Sequence, residues 1–145
     1  MRMIIPVIFS AFMLFLVMVN PVSGSDWRPL GTRNGIIISL DKKSIKHTAD
    51  NVVRYRMKLT LCDDSKREIL HSRMEDGLSN EGWSKLSYGV SLNEINCRDR
   101  KTRGEMLYLY DAEGKQIYYQ QISGEWSFIE PDTGPDLILK SVCEK

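Results

Sequence analysis

The chain has 145 residues, 42% of them hydrophobic, and a formal net charge of +1. This length suits one domain with a real hydrophobic core. Its 20 basic and 19 acidic residues almost balance, which excludes the bulk attraction that draws basic proteins to nucleic acid or to an anionic membrane. We therefore expect no nucleic acid as a partner.

The N-terminal residues predict an export signal. After a single arginine, Met3–Val19 is an apolar run without charge, and Val22-Ser23-Gly24 places small residues before a cleavage site. We expect cleavage after Gly24, so that residues 1–24 are a signal peptide and residues 25–145 form a single domain. The alternative is an uncleaved anchor, because the apolar run is only slightly shorter than the ~18–20 residues of a membrane-spanning helix.

The residue that follows Val22-Ser23-Gly24 determines whether the protein can carry a lipid anchor. Bacterial lipoprotein signals carry a cysteine there, whereas this chain has Ser25, so we predict no lipid anchor. Without Arg2 of the signal, the mature part holds 19 basic and 19 acidic residues. A net charge of zero mildly favours self-association, for example as a homodimer. We expect the mature protein in the periplasm or at the cell surface.

Alternating and β-branched segments predict strands along the mature chain. The clearest is Val52–Cys62, in which apolar residues such as Tyr55 share one face and Arg54 and Arg56 share the other. Further strands are expected at Ile36–Leu40, Lys85–Cys97, Gly104–Tyr110, Gln116–Ile122 and Trp126–Ile129. The residues from Asp41 to Asp50 are expected to form a polar loop.

Two helices complete the predicted fold. Asp64-Ser65 would cap a short helix that starts near Lys66. The segment Asp132-Thr133-Gly134-Pro135-Asp136 combines a capping residue, an early proline and an acid, which is typical of a helix N-terminus. The fold class is therefore α+β: a mostly antiparallel sheet of about five or six strands, with a C-terminal helix packed on it.

Three cysteines, Cys62, Cys97 and Cys143, lie in the exported part of the chain. Disulfides persist outside the reducing cytosol, and we expect Cys97 and Cys143 to form one that ties the C-terminus to the middle of the domain. Cys62 would then be a half-buried thiol or an intermolecular crosslink. An exchange of partners stays open, since three cysteines allow three single bonds.

Several short segments follow one another in a characteristic order. They are Leu40-Asp41, Ser44-Ile45, Asn51-Val52-Val53-Arg54, Leu92-Asn93-Glu94-Ile95-Asn96-Cys97, Tyr110-Asp111-Ala112-Glu113-Gly114-Lys115, Trp126-Ser127-Phe128-Ile129-Glu130-Pro131 and Ser141-Val142-Cys143. In this order the chain resembles the surface-adhesin protein E family of Gram-negative envelope proteins. The resemblance implies an antiparallel sheet with a C-terminal helix held by a disulfide, and an adhesin-like role. No functional residue is carried over, because the family's basic ligand-binding segments have no motif that can be placed here.

The sequence offers no residue set arranged for catalysis. His47 and His71 have no His or Cys three to five residues away, so we interpret them as solvated loop residues rather than zinc ligands. No nucleophile elbow, phosphate-binding glycine loop or dinucleotide fingerprint occurs. Glu94 is the one acid that we expect to point inward, and we interpret it as a strand-edge acid paired with a nearby arginine. We therefore predict that the protein is not an enzyme and carries no cofactor or metal.

The densest basic segment follows Cys97. It is ordinarily interpreted as a solvated turn, and the alternative is an anion site for heparin-like groups or lipopolysaccharide phosphates. Two arginines of the Val52–Cys62 strand would join this site if that strand face lies beside it. The candidate patch consists of Arg98, Arg100, Lys101, Arg103, Arg54 and Arg56.

Tyrosines make the predicted hairpin aromatic on both faces. They are Tyr108, Tyr110, Tyr118 and Tyr119, and those left exposed would favour protein contacts. We predict a non-enzymatic envelope or surface module that binds a macromolecule, either a protein or an anionic polysaccharide. The alternative is a structural periplasmic protein that self-associates and has no extracellular ligand.

Overall fold

A computed structural model describes residues 24–122 and 124–144 of the protein. The predicted signal peptide lies outside these residues, except for Gly24. One antiparallel sheet and two helices make up the described chain. The strands are β1 (Trp27–Arg33), β2 (Ile36–Asp41), β3 (Lys46–Ala49), β4 (Val52–Thr60), β5 (Leu86–Asn96), β6 (Lys101–Asp111), β7 (Gln116–Gln121) and β8 (Ser127–Phe128), and the helices are α1 (Asp63–Glu75) and α2 (Gly134–Cys143).

The eight strands form a sheet that is six strands wide, in the order β1-β2-β4-β5-β6-β7. β3 pairs with the edge of β4 that also pairs with β2, and there Lys46 lies opposite Arg54. In the same way, β8 shares an edge of β6 with β7, and Phe128 lies opposite Lys101. The predicted class, a mostly antiparallel sheet with a C-terminal helix, is confirmed.

Two strands have no counterpart in the sequence prediction. In β1, Pro29 and Gly31 interrupt the alternation of polar and apolar residues that would predict a strand. The register against β2 is irregular between these two residues. Both residues are tolerated because β1 is a terminal strand of the sheet. The segment Asp41–Asp50, expected as a loop, contains a 3₁₀ turn at Lys42–Ser44 and the exposed strand β3. Backbone pairing with β4 orders β3, which buries no side chain that could have revealed it.

The hydrophobic core lies on one face of the sheet. We call the face that carries Tyr55 the inner face, and the opposite face, which carries Arg54 and Arg56, the outer face. Helix α2 packs on the inner face and completes the core, which consists of Ile38, Leu40, Tyr55, Ile95, Ile129, Ile138 and Leu139. Burial raises the pKa of Tyr55 to about 12, as expected for a phenol enclosed by apolar groups.

The N-terminus of α2 is held by a buried carboxylate. Thr133 is the N-cap residue, but its side chain makes no capping hydrogen bond. Instead, Asp136 accepts a hydrogen bond from the backbone N–H of Asp132 (3.0 Å) and pairs with Lys140 (2.9 Å) and Arg100 (3.0 Å). Hydrogen bonds from Lys140 and the Asp132 backbone lower the pKa of Asp136. The acid in the first turn, expected from the sequence, therefore ties the start of α2 to the preceding segment and to two cations, whereas the expected capping hydrogen bond is not formed.

Helix α2 is also fixed at its C-terminal end. Its last residue, Cys143, forms a disulfide with Cys97, just after β5. The predicted pairing is confirmed. Cys62 is a free, half-buried cysteine at the start of α1, where its Sγ lies 3.2 Å from the Ser65 hydroxyl.

Loss of this disulfide should destabilise the domain strongly. The bond joins positions 46 residues apart, so the chain-entropy estimate is about 4 kcal/mol. We expect a Cys97→Ser/Cys143→Ser variant to lose stability of this order in urea unfolding, while Cys62→Ser stays within about 1 kcal/mol of the parent. Non-reducing peptide mapping should recover Cys97 linked to Cys143, and a bridge that includes Cys62 would contradict the topology.

Candidate ligand-binding face

A β-bulge in β6 decides which side chains reach the outer face. Leu92 of β5 lies opposite Met106, and the next residue, Asn93, lies opposite Gly104, so Glu105 is an extra residue in β6. An extra residue shifts the two-residue alternation of a strand by one position. Arg103 and Met106 can therefore share the outer face although they are three residues apart.

The bulge assembles a charged cluster around Glu94. The Glu94 side chain is only 5% exposed, and its Oε2 accepts hydrogen bonds from Nη2 (2.7 Å) and Nε (3.1 Å) of Arg103. Nη2 of Arg54 lies 3.3 Å from Oε1 of Glu94 and 2.9 Å from Oε1 of Glu105. Burial alone would raise the pKa of Glu94, but the hydrogen bonds from Arg103 and the charges of Arg103 and Arg54 outweigh it, and the pKa is lowered.

The position of Glu94 corrects one sequence expectation. Glu94 does not point into the core, because it lies on the outer face beneath two arginines, as its pairs with Arg54 and Arg103 show. The expected partnership with a nearby arginine is confirmed. Arg103 also stacks on Trp126, with its guanidinium carbon 4.5 Å from the ring centre. The cluster therefore covers part of the sheet with the apolar stems of charged side chains.

A basic depression of about 450 Å³ lies beside this cluster. We call it the basic hollow, and its charged lining consists of Lys43, Lys46, Arg54, Arg56 and Asp41. Arg56 is held by Asp41 (Nη1–Oδ2 3.4 Å) and lies over Trp27, with its guanidinium carbon 5.4 Å from the ring centre. Within residues 24–122 and 124–144, Lys43 and Lys46 take part in no ion pair.

One donor in the hollow is unused. The Nε atom of Arg54 is buried and has no hydrogen-bond partner among the described residues. A buried donor without an acceptor is costly. The arginine side chain as a whole remains 41% exposed, so its other atoms can still reach solvent or a ligand. Four cationic side chains against one acid in the lining make the hollow suited to anionic groups.

An aromatic depression of about 320 Å³ adjoins the basic hollow, and Arg56 and Leu92 line both. Tyr108 and Tyr110 form its far wall. They belong to a row of stacked rings across the outer face, in which Tyr88–Tyr110, Tyr108–Tyr110 and Tyr108–Tyr119 have centroid distances of 5.1, 6.5 and 6.4 Å. The outer face thus offers cations and aromatic rings side by side.

The predicted basic patch is divided by the structure. Arg54, Arg56 and Arg103 lie on the outer face, whereas Arg100 pairs with the buried Asp136 under α2. Arg98 is exposed in the turn, with its Nε 3.4 Å from Oδ1 of Asp99, and Lys101 is exposed at the start of β6.

Lys43 and Lys46 are not identified as site residues from the sequence, because the segment that contains both is interpreted there as a loop. The available signal was the presence of three lysines, Lys42, Lys43 and Lys46, within five residues.

The hairpin tyrosines divide between the faces as the alternation predicts. Tyr108, Tyr110 and Tyr119 join the outer row, whereas Tyr118 contacts Trp83 (5.3 Å between centroids) on the inner side.

The two histidines lie apart from each other. His47 is exposed on β3, and His71 of α1 lies 3.3 Å from Glu75. In the part of the chain that the structure describes, no three His, Cys, Asp or Glu side chains are grouped to hold a metal ion. Nor does this part contain a helix long and apolar enough to cross a membrane.

Comparison with known proteins gives a family and a fold. The family model of surface-adhesin protein E matches residues 27–144. Crystal form II of Haemophilus influenzae protein E aligns with a TM-score of 0.51 and 14% sequence identity, over 83% of this chain and 96% of that chain. The selenomethionine form of the same protein aligns with a TM-score of 0.51 and 14% identity, over 82% of this chain and 93% of that chain. No curated protein matches the chain.

The Glu94 cluster should make stability depend on pH. The pKa of Glu94 is lower in the folded state than in the unfolded chain. Ionised Glu94 therefore stabilises the fold at pH values above its ordinary pKa of ~4.3. This contribution disappears as the pH falls through the lower pKa of the folded state. We expect Glu94→Gln to cost about 1–3 kcal/mol at pH 7 and to flatten the decline in stability below pH 5, measured by urea unfolding. The exposed Glu113→Gln is the matched control, and equal pH profiles for the two variants would contradict this role.

Proposed function

Because the chain belongs to the surface-adhesin protein E family, we propose that it is an exported, non-enzymatic module whose outer face binds an anionic macromolecule at the envelope or cell surface. The supporting observation is the basic hollow and the tyrosine row that continues from it. Haemophilus influenzae protein E shares the fold, and at 14% identity this likeness supports no transfer of ligands. The proposal therefore depends on the geometry of this chain.

The outer face matches a polyanion in two ways. Lysine and arginine side chains of the hollow can donate hydrogen bonds to sulfate, phosphate or carboxylate groups, and arginine can donate two in parallel. The adjoining tyrosines offer an apolar body with a polar tip, which suits a sugar ring or a polypeptide. Arg56 is already positioned by Asp41 and Trp27, so little side-chain freedom would be lost on binding.

Signal removal would add to the same site. Ser25 and Gly24 line the basic hollow, and the Ser25 hydroxyl accepts a hydrogen bond from Nη1 of Arg56 at 3.3 Å. The next residue is fixed as well, since the backbone N–H of Asp26 donates to Asp41 at 2.9 Å. Cleavage after Gly24 would leave a new ammonium group at the rim of the hollow. Processing and anion binding are thus linked in this proposal.

Mature protein isolated from the expressing bacterium should begin at Ser25. Intact mass and N-terminal sequencing of the exported form measure this directly. Recovery of the chain in the membrane pellet with Met3–Val19 still attached would support the uncleaved anchor instead and would leave no free ammonium at the hollow.

The binding site itself can be tested on immobilised heparin, used here as a sulfated-polysaccharide probe. Wild-type protein should be retained and should elute as salt rises, because exposed charges are screened beyond roughly 8 Å at physiological ionic strength. A Lys43→Gln/Lys46→Gln variant should elute at clearly lower salt. Its thermal stability should stay nearly unchanged, because both side chains are exposed and such sites usually contribute less than about 0.5 kcal/mol.

Two further variants locate the charge that matters. Lys85→Gln/Lys115→Gln removes the same charge from exposed positions away from the hollow, and its elution should match that of the wild type. Arg98→Gln/Lys101→Gln tests the turn after Cys97 without touching Arg100, which holds Asp136. If only the turn variant loses retention, the hollow is not the site.

Self-association is the second candidate function, and one observation favours it. β7 is a terminal strand of the sheet, and its Tyr119 is 61% exposed. An exposed terminal strand is a ready site for pairing with a second copy. If the wild type is not retained on heparin and sediments as a concentration-dependent dimer, the structural alternative replaces the binding module.

A further inference from the structure

The inner face carries a second concave site, separate from the outer face and from the α2 core. Helix α1 lies over the far part of the inner face and leaves a groove of about 590 Å³ beneath it. The floor is apolar and comes from Leu59 of β4, Leu61 just after β4, Leu107 and Leu109 of β6, and Gly89 of β5. A volume of this size falls in the range of roughly 300–1,000 Å³ that small-molecule sites occupy. We call it the inner groove.

The walls of the inner groove come from α1 and from two aromatic side chains. Ile69 of α1 lies on one side, and Trp83 and Tyr118 lie on the other, in contact with each other. Helix α1 packs loosely, since Ser65 is its only fully buried residue and Met74 is 64% exposed. The groove is therefore an open space between α1 and the sheet. Under α2, the corresponding space is filled by core side chains.

A single cation stands among the groove residues. Arg73 of α1 lies over Trp83, with its guanidinium carbon 3.6 Å from the ring centre, and its Nη2 donates to the backbone carbonyl of Ser79 at 2.7 Å. Its Nε is buried and has no partner within the described residues. Stacking on Trp83 and the hydrogen bond to Ser79 hold the guanidinium in place, so Arg73 presents a fixed positive charge at the groove.

The other ionisable group of the lining is an acid at a distance. Glu68 is exposed and precedes Arg73 by five residues on the same helix, which places it about 7.5 Å away along the helix axis. No ion pair joins the two among the described residues. The groove thus has one cationic position, one anionic position at a different height, and an apolar floor.

We propose that the inner groove binds a single-chain aliphatic carboxylate, with the carboxylate on Arg73 and the hydrocarbon chain along Leu59, Leu107 and Leu109. Charge complementarity selects this occupant: the apolar floor fits an unbranched hydrocarbon, and the fixed guanidinium of Arg73, the one cation of the lining, fits one carboxylate. A ligand with anionic groups along its length would bring one of them towards Glu68. The polyanion proposed for the outer face is a ligand of a different kind, so this site is independent of the proposed anion-binding function.

Calorimetric titration with octanoate, decanoate and dodecanoate, each below its micelle concentration, tests the proposal on the mature protein. Affinity should rise about tenfold for every two carbons, because each buried methylene contributes to binding. 1-Decanol, which has the same chain without the charge, should bind about tenfold more weakly than decanoate. No binding of dodecanoate, or no dependence on chain length, would overturn the proposal.

Variants assign the two ends of the ligand. Arg73→Gln should weaken decanoate about tenfold and leave 1-decanol unchanged, and Arg73→Lys should restore part of the difference, which a purely structural role would not do. Gly89→Ala adds a methyl group to the floor, 3.1 Å from Leu109, and should weaken both ligands. Glu68→Gln is the matched control on α1 and should bind decanoate at least as well as the wild type.

Two results would contradict this assignment of the groove. If Arg73→Gln weakened decanoate and decanol equally, the carboxylate would not lie on Arg73. If decanoate bound only to a dimer seen by sedimentation, or if dimerisation excluded it, a second copy of the chain would occupy the groove. The outer-face variant Lys43→Gln/Lys46→Gln should bind decanoate normally, so failure of this proposal and failure of the anion-binding function give different results.

Discussion

One ten-residue helix has to cover a sheet six strands wide, and this mismatch determines most of the molecule's surface. Helix α2 is about 15 Å long at 1.5 Å per residue, whereas six strands spaced about 4.8 Å apart span roughly 24 Å. The helix closes the core over Ile38, Tyr55 and Ile95, and the bonds of Asp136 and Cys143 hold its two ends in place. The outer face and the far part of the inner face are left without it, and each is completed differently.

On the outer face, charged and aromatic side chains take the place of a covering layer. Glu94 is buried there because Arg54 and Arg103 lie across it, and their hydrocarbon stems shield the sheet. Because these two arginines pair with a buried carboxylate, the positive charge that they offer to a ligand is smaller than a count of basic residues indicates. Lys43 and Lys46 have no such commitment among the described residues. The proposed anion site therefore depends on Lys43 and Lys46 more than on the basic run that follows Cys97.

How far the sequence predicts the molecule depends on whether a feature is local. The alternation of Val52–Cys62, the turn at Gly114 and the capping signals before α2 are local, and the six predicted strands and the C-terminal helix follow from them. The disulfide followed from the export context. β3 and the basic hollow could not be predicted, because they exist only through pairing with β4. The run after Cys97 reads as one patch, but Arg98 and Arg100 lie in the turn before β6. Arg100 turns to Asp136, whereas Arg103, within the strand, lies on the outer face with Glu94.

The same strands build both candidate sites, since successive residues of a strand point to opposite faces. In β4, Lys58 lies on the outer face near Tyr88 and Leu59 faces the inner groove. In β6, Tyr108 and Leu107 divide in the same way. A slip of one residue would exchange the faces of a whole strand. The extra residue in the β6 bulge makes such a one-residue shift at one end of the strand only: it brings Arg103 to Glu94, while the residues after the bulge keep their leucines inside. The bulge is therefore the feature that allows a charged outer cluster and an apolar inner groove to be built from one strand.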